Sequence, residues 1–115
     1  MSQPFVLDRG LILDRLGGDE EILAMMIDMF LQDVDANCAA LTAAHAAADA
    51  AALRREAHTL KGLLSTMSDE AGAAEALFIE QKAKVGEIAG LDAAVAGLLA
   101  RVRQVASVLQ QETAA

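Results

Sequence analysis

A histidine, a lysine and a glycine stand close together in the segment Ala57-His58-Thr59-Leu60-Lys61-Gly62. A neutral imidazole is a nucleophile near neutral pH, because the ordinary pKa of histidine is about 6.5. Lys61 follows His58 by three residues, so on a helix the two side chains share a face. A glycine such as Gly62 costs a helix about 1 kcal/mol relative to alanine, and is better tolerated where another molecule must approach the backbone. An exposed imidazole beside a cation and open space could accept a phosphoryl group.

The apolar residues around this segment predict which way His58 points. They recur with the alternating spacing of a core-facing helix: Leu53, Ala57, Leu60, Leu64 and Met67. His58 lies about 100° around the helix from Ala57, at ~3.6 residues per turn. It therefore projects outward, on a face that it shares with Arg54, Lys61, Gly62 and Ser65.

Each of these residues also has a purely structural interpretation. A single histidine on a helix surface is most often only a solvated side chain, and Lys61 could be an ordinary surface lysine. Gly62 could simply permit close packing, and Ser65 could be incidental. His45 lies in an alanine-rich stretch without such neighbours, which favours a structural role. The combination around His58 favours function where no single residue does.

The charge of the chain limits its partners. The 115 residues carry a net charge of −8, which argues against nucleic acid as the main partner. Basic residues nevertheless gather near the histidine, where Arg54, Arg55 and Lys61 outnumber Glu56. Charge alone would favour an ordinary solvated face, but it makes the local field positive within an acidic protein.

The composition predicts an all-α protein. Alanine is abundant, Trp and Tyr are absent, and there is one proline, so few residues interrupt helices. No apolar run approaches the ~18–20 residues that span a bilayer, and the N-terminus does not resemble a signal peptide. Cys38 is the only cysteine, which excludes an internal disulfide and fits a reducing compartment. We expect one cytoplasmic domain over residues 1–115.

Glycines and capping residues divide the chain into helices. A short helix over about Asp8 to Leu16 ends at Gly17-Gly18, and a long second helix begins near Asp19. Asp49 is the expected N-cap of the third helix, which ends near Ser68, a possible cap for the fourth. A break at residues 86–90 precedes the fifth helix.

Apolar spacing predicts the core face of each long helix. The expected core residues are Leu23, Ile27, Phe30, Val34 and Leu41 of the second helix, Ala74, Leu77 or Phe78, and Val85 of the fourth, and Leu91, Val95, Leu98, Val102, Val105 and Leu109 of the fifth. Four long amphipathic helices with short connections predict an antiparallel four-helix bundle with a short additional N-terminal helix across one end. The ends, Met1 to Pro4 and Glu112 to Ala115, should be loosely held.

The segment Ala57 to Gly62 resembles the central His-x-x-Lys-Gly motif of the histidine-containing phosphotransfer (HPt) domain family of bacterial two-component phosphorelays. The resemblance extends from Leu16-Gly17-Gly18-Asp19 through the fifth helix, and Ala50 to Arg55 looks like the family's usual approach to the motif. Glu80 stands where such domains often carry an acid on the next helix. One departure is Ser68, where the family usually has a glycine.

The resemblance implies a phosphorelay intermediate. His58, through Nε2, would accept a phosphoryl group from an aspartate of a receiver domain and pass it to another receiver, with Lys61 balancing its charge. Gly62, Ser65 and Arg54 would form the accessible face. The chain would be a carrier without kinase activity, since it lacks a nucleotide-binding loop, and Mg²⁺ would belong to the receiver. The implied partners are response-regulator receiver domains and a hybrid histidine kinase. The chain itself would be a monomer.

A docking surface can also be placed by counting residues back from the turn between the second and third helices. This places Cys38 beside His58, with Asp35 and Leu31 one to two turns further along the second helix. The predicted docking surface for the receiver consists of these three residues together with Arg54, Lys61 and Ser65. Two other classes of function remain open. A metal-binding or redox bundle would need inward Glu-x-x-His pairs, and neither His45 nor His58 has a glutamate three residues before it. A non-catalytic receiver-binding adaptor, or a structural bundle, would differ only in lacking phosphorylation. Met1 and the full set of helices favour a free-standing protein.

Overall fold

The computed structural model describes residues 3–114 as an all-helical chain. Its helices are α1 (Arg9–Arg15), α2 (Glu20–Ala46), α3 (Ala50–Thr66), α4 (Glu70–Lys84) and α5 (Asp92–Ala114). Short connections join α2 to α5 into an antiparallel bundle in which α3 and α5 each pack against both α2 and α4. The short α1 contacts α2 and buries Ile12. The predicted four-helix bundle with an additional N-terminal helix is therefore confirmed.

An aspartate begins each of the first four helices. The carboxylates of Asp8, Asp19, Asp49 and Asp69 accept hydrogen bonds from backbone N–H groups of the first turn, which would otherwise have no partner. This confirms Asp49 as the N-cap of α3. The prediction for Ser68 was wrong, because Asp69 caps α4. Ser68 instead adopts a left-handed backbone conformation, with φ of 60°, in the turn that glycine usually occupies.

The core contains the predicted residues of α2 and α5. All five of the predicted α2 residues are buried, and Cys38 joins them at 4% exposure. The predicted residues of α5 are likewise all buried. These two helices carry large branched side chains at regular spacing, so their periodic signal is strong.

The predicted core face of α4 was wrong. Ala74, Leu77, Phe78 and Val85 are exposed. The buried residues are small except for one: Gly72, Ala76, Ile79 and Ala83. Alanine and glycine give little hydrophobic contrast, so the larger Leu77 and Phe78 dominated the pattern although they face outward. The small residues allow α4 to lie close to its neighbours.

A buried ion pair joins the start of α4 to α5. The Arg101 guanidinium donates to both oxygens of Asp69, at 2.7 and 2.9 Å, and also to the backbone carbonyl of Gln3 and the side chain of Gln104. Asp69 is 3% exposed and Arg101 is 9% exposed. Both charges are compensated by several hydrogen bonds, which a buried pair requires. The N-terminal segment is thereby attached to α5.

The chain ends differ from the prediction. Helix α5 continues to Ala114, so residues 112–114 are helical rather than loose. Gln3 accepts the hydrogen bond from Arg101. Met1, Ser2 and Ala115 lie outside the described residues. Within residues 3–114, no helix is both long and apolar enough to cross a membrane.

Two helical glycines should respond in opposite directions to alanine. A Cβ on Gly72 would overlap the Asp69 carboxylate and lie 3.0 Å from Arg101 Cγ, whereas a Cβ on Gly62 would have no neighbour within 4 Å. Gly72→Ala should therefore lower the free energy of unfolding by about 1–3 kcal/mol through overpacking. Gly62→Ala, the matched control, should raise it by up to about 1 kcal/mol. Urea denaturation measures both, and equal stability of the two variants would contradict this account of Gly72.

Candidate functional site

His58 lies on the outward face of α3, as the sequence predicts. The stripe of Leu53, Ala57, Leu60 and Leu64 is buried, whereas the His58 side chain is 67% exposed. The helix is continuous from Ala50 to Thr66. The imidazole is therefore accessible to another molecule and stands within an uninterrupted helix.

Glu80 of α4 connects His58 to Lys61. One carboxylate oxygen lies 3.1 Å from His58 Nδ1, and the other lies 2.7 Å from Lys61 Nζ. The Glu80 side chain is only 15% exposed. The hydrogen bond from Lys61, with a smaller contribution from His58, holds the pKa of Glu80 below its ordinary value of 4.5. The carboxylate is thus ionised at neutral pH.

The ionised carboxylate determines the tautomer of the neutral imidazole. A carboxylate only accepts hydrogen bonds, so Nδ1 must carry the proton and donate it to Glu80. Nε2 then keeps its lone pair. His58 therefore presents Nε2 as a nucleophile, held in place by a contact on the other ring nitrogen.

The ammonium group of Lys61 points towards α4. Its side chain is 27% exposed and pairs with Glu80. This contact positions the carboxylate that holds His58. The predicted role of Lys61 in balancing phosphoryl charge stays a prediction.

The space beside His58 is open on the Gly62 side. A Cβ at Gly62 would have no neighbour within 4 Å, and Ser65, one turn further, is exposed. A bulky side chain at residue 62 would fill this space, since residues four apart on a helix are neighbours. The structure therefore brings Gly62 and Ser65 together with His58 on one face, as predicted.

On the other side of His58 lies a cleft of ≈ 420 Å³ between α3 and α4. It is lined by Ala51, Arg54, Arg55, His58, Thr59 and Glu80. Helical spacing predicts Arg54 on this face, whereas Glu80 follows only from the family resemblance. Arg55 was not predicted as a site residue, although it precedes His58 by three residues.

The predicted docking residues do not lie beside His58. Asp35 and Cys38 border a groove against α5, where Asp35 pairs with Arg103. Cys38 is buried, and burial raises the pKa of its thiol. Leu31 is partly buried against the core and, four residues before Asp35, lies on the same side of α2. Counting along antiparallel helices predicts a level along the bundle but not a side, and His58 faces α4 rather than α2.

No group of three or more His, Cys, Asp or Glu side chains in residues 3–114 is arranged to hold a metal ion. The second histidine, His45, pairs through Nε2 with Asp92 at 2.9 Å and is one quarter exposed. It links the end of α2 to the start of α5.

Comparison with known proteins agrees with this geometry. Residues 25–112 match the Hpt domain family. Among solved structures, histidine-containing phosphotransfer protein B from Pseudomonas aeruginosa PAO1 is similar, with a TM-score of 0.81 and 28% sequence identity over 92% of each chain. No curated protein gives a significant match. Because the family match covers most of the chain, the protein belongs to the Hpt domain family.

Proposed function

We propose that His58 is the phosphoryl acceptor of this chain. The family carries phosphoryl groups on histidine within two-component relays, and the chain has that relay role. The observation that carries the assignment to His58 is its exposed imidazole, with Nδ1 held 3.1 Å from a Glu80 oxygen. His45 has only an exposed aspartate on its ring and no glycine beside it. The geometry supports a carrier, because Nε2 is free and accessible.

The transfer step follows from the tautomer. The Nε2 lone pair attacks the phosphorus of a receiver's aspartyl phosphate, and the bond from phosphorus to the aspartyl oxygen breaks, leaving its electron pair on the carboxylate. Nδ1 keeps its proton, so the phosphorylated ring carries a positive charge. Glu80 lies against that charge and stabilises it. Reversal of the step on a second receiver returns the neutral histidine.

The partners in this proposal are receiver domains of response regulators and a hybrid histidine kinase. The protein would bind them as a monomer in the cytoplasm. Phosphoryl transfer depends mainly on alignment and charge neutralisation. Mg²⁺ would be held by the carboxylates of the receiver, since hard cations prefer oxygen ligands. The carrier itself would contribute the nucleophile and its orientation.

Replacement of the acceptor should abolish phosphorylation. His58→Gln should give no phosphoprotein on incubation with a phosphorylated receiver, measured by intact-protein mass, because no nucleophilic nitrogen remains at the site. Its free energy of unfolding should change by only about 0.5 kcal/mol, as for most surface substitutions. His45→Gln is the matched control and should be labelled normally. If His45→Gln abolished labelling while His58→Gln remained labelled, the assignment would be refuted. If the wild-type protein were not labelled either, a non-catalytic adaptor would be favoured.

Gly62 should matter for the partner rather than for the chemistry. Gly62→Gln places a side chain in the space beside His58, so transfer from a receiver should fall by roughly two orders of magnitude, as expected for a misplaced reactant. Gly62→Ala is the control and should transfer nearly as well as the wild type. Phosphorylation by the small donor phosphoramidate should be unaffected in both. Unimpaired receiver transfer in the Gln variant would show that the glycine does not provide access.

Removing the Glu80 carboxylate should change both the pH dependence of the free energy of unfolding and the rate of phosphoryl transfer to His58. The pKa of Glu80 is lowered by folding, so its contribution to stability is complete above about pH 4.5 and is lost as the pH falls through its folded value. The wild type should therefore be more stable than Glu80→Gln at neutral pH, and the difference should narrow below about pH 4.5. Transfer to His58 should slow roughly tenfold in the variant, because a charged hydrogen bond is lost.

The control for Glu80 is Glu87→Gln, which removes the exposed partner of Lys82. An exposed pair contributes little, so this variant should transfer at the wild-type rate and show no such pH-dependent difference. A Glu80→Gln variant that behaves in the same way would exclude the proposed role of the carboxylate.

A further inference from the structure

The charges around His58 do not balance in the phosphorylated state if Lys61 is the only cation of the site. Lys61 is already paired with Glu80. The phosphorylated ring adds one positive charge, whereas a phosphoryl group brings a charge of nearly −2 at neutral pH. One negative charge therefore remains on the phosphoryl oxygens. A further cation close to His58 would neutralise this charge.

Arg54 has the position and freedom to supply it. It precedes His58 by four residues, so the two side chains are neighbours on the exposed face of α3, and both line the cleft between α3 and α4. Among the ion pairs of residues 3–114, none involves Arg54. Its guanidinium group offers several N–H donors arranged to bind two phosphoryl oxygens together.

The other nearby cations are less suitable. Arg55 also lines the cleft, but its guanidinium lies 3.3 Å from the Glu56 carboxylate. Lys84, one turn beyond Glu80 on α4, has no carboxylate partner in the described chain, yet it does not line the cleft with His58. The Gly62 side of His58 offers open space but no unpaired cation of α3.

We propose that Arg54, and not Lys61, supplies the positive charge that contacts the phosphoryl group on His58. The phosphoryl group then lies towards the Arg54 cleft, and the open Gly62 side is left for the loops of the receiver. Lys61 acts indirectly, by positioning Glu80. This inference rests on His58 being the acceptor, and it assigns the two cations different tasks.

The test uses phosphoramidate as the donor, so that no receiver contact is involved. Nε2 attacks the phosphorus, the phosphorus–nitrogen bond of the donor breaks, and ammonia leaves. Arg54→Gln should slow formation of phosphohistidine about tenfold, as expected for loss of a charge-assisted hydrogen bond. Arg54→Lys should recover most of the rate because it restores the charge. Arg103→Gln, which removes the same charge on the α2–α5 side, should label at the wild-type rate.

Several outcomes would overturn the inference. A normal phosphoramidate rate in Arg54→Gln, with slow transfer only from a receiver, would mean that Arg54 contacts the receiver protein. A tenfold loss in Lys84→Gln or Lys61→Gln while Arg54→Gln stays normal would assign the charge to another cation. His58→Gln tests the acceptor assignment separately from the role of Arg54. If this variant is labelled like the wild type, His58 is not the acceptor.

Discussion

The buried ion pair between Asp69 and Arg101 determines how α4 meets the rest of the bundle. The Asp69 carboxylate caps α4 and also accepts two hydrogen bonds from Arg101 of α5, so α4 cannot slide or rotate without breaking charged contacts away from water. Glu80 lies about three helical turns further along α4, and its place opposite His58 depends on that register. The orientation of the imidazole is therefore set partly by a contact at the far end of the helix.

One carboxylate serves two purposes at the site. Glu80 neutralises Lys61 and accepts the Nδ1 proton of His58, and these two contacts come from residues three apart on the same helix. Since Lys61 and His58 share the acid, the carboxylate is fixed by two donors before any partner arrives. Such preorganised charge is more effective than charge that must be rearranged during a reaction. The surrounding protein is acidic, so the positive character of this face is local.

The sequence predicted the fold wherever side-chain size varies regularly. The stripes of α2 and α5 and the outward position of His58 follow from spacing alone, because large apolar residues alternate with polar ones. The core face of α4 could not be predicted from spacing. The buried Ala76 and Ala83 differ little in hydrophobicity from the other alanines of the helix, and the exposed Phe78 is more hydrophobic than either. The side of α2 that carries Asp35 could not be obtained from counting, since the count fixes height along a bundle but not rotation about it. The pairing of Lys61 with Glu80 depends on a distance between two helices, which residue spacing along the chain does not contain.

Ser68 connects backbone conformation to the placement of α1. A left-handed conformation in a non-glycine residue costs roughly 1–2 kcal/mol, yet Ser68 adopts it, with φ of 60°, and its hydroxyl accepts a hydrogen bond from Arg15 at the end of α1. A glycine at residue 68 would relieve the strain of the left-handed backbone and would remove the hydroxyl that accepts the hydrogen bond from Arg15. Residues 15 and 68 are therefore coupled: in related sequences, a glycine at this turn should free the position of Arg15 to vary, and a hydroxyl should be accompanied by a long donor.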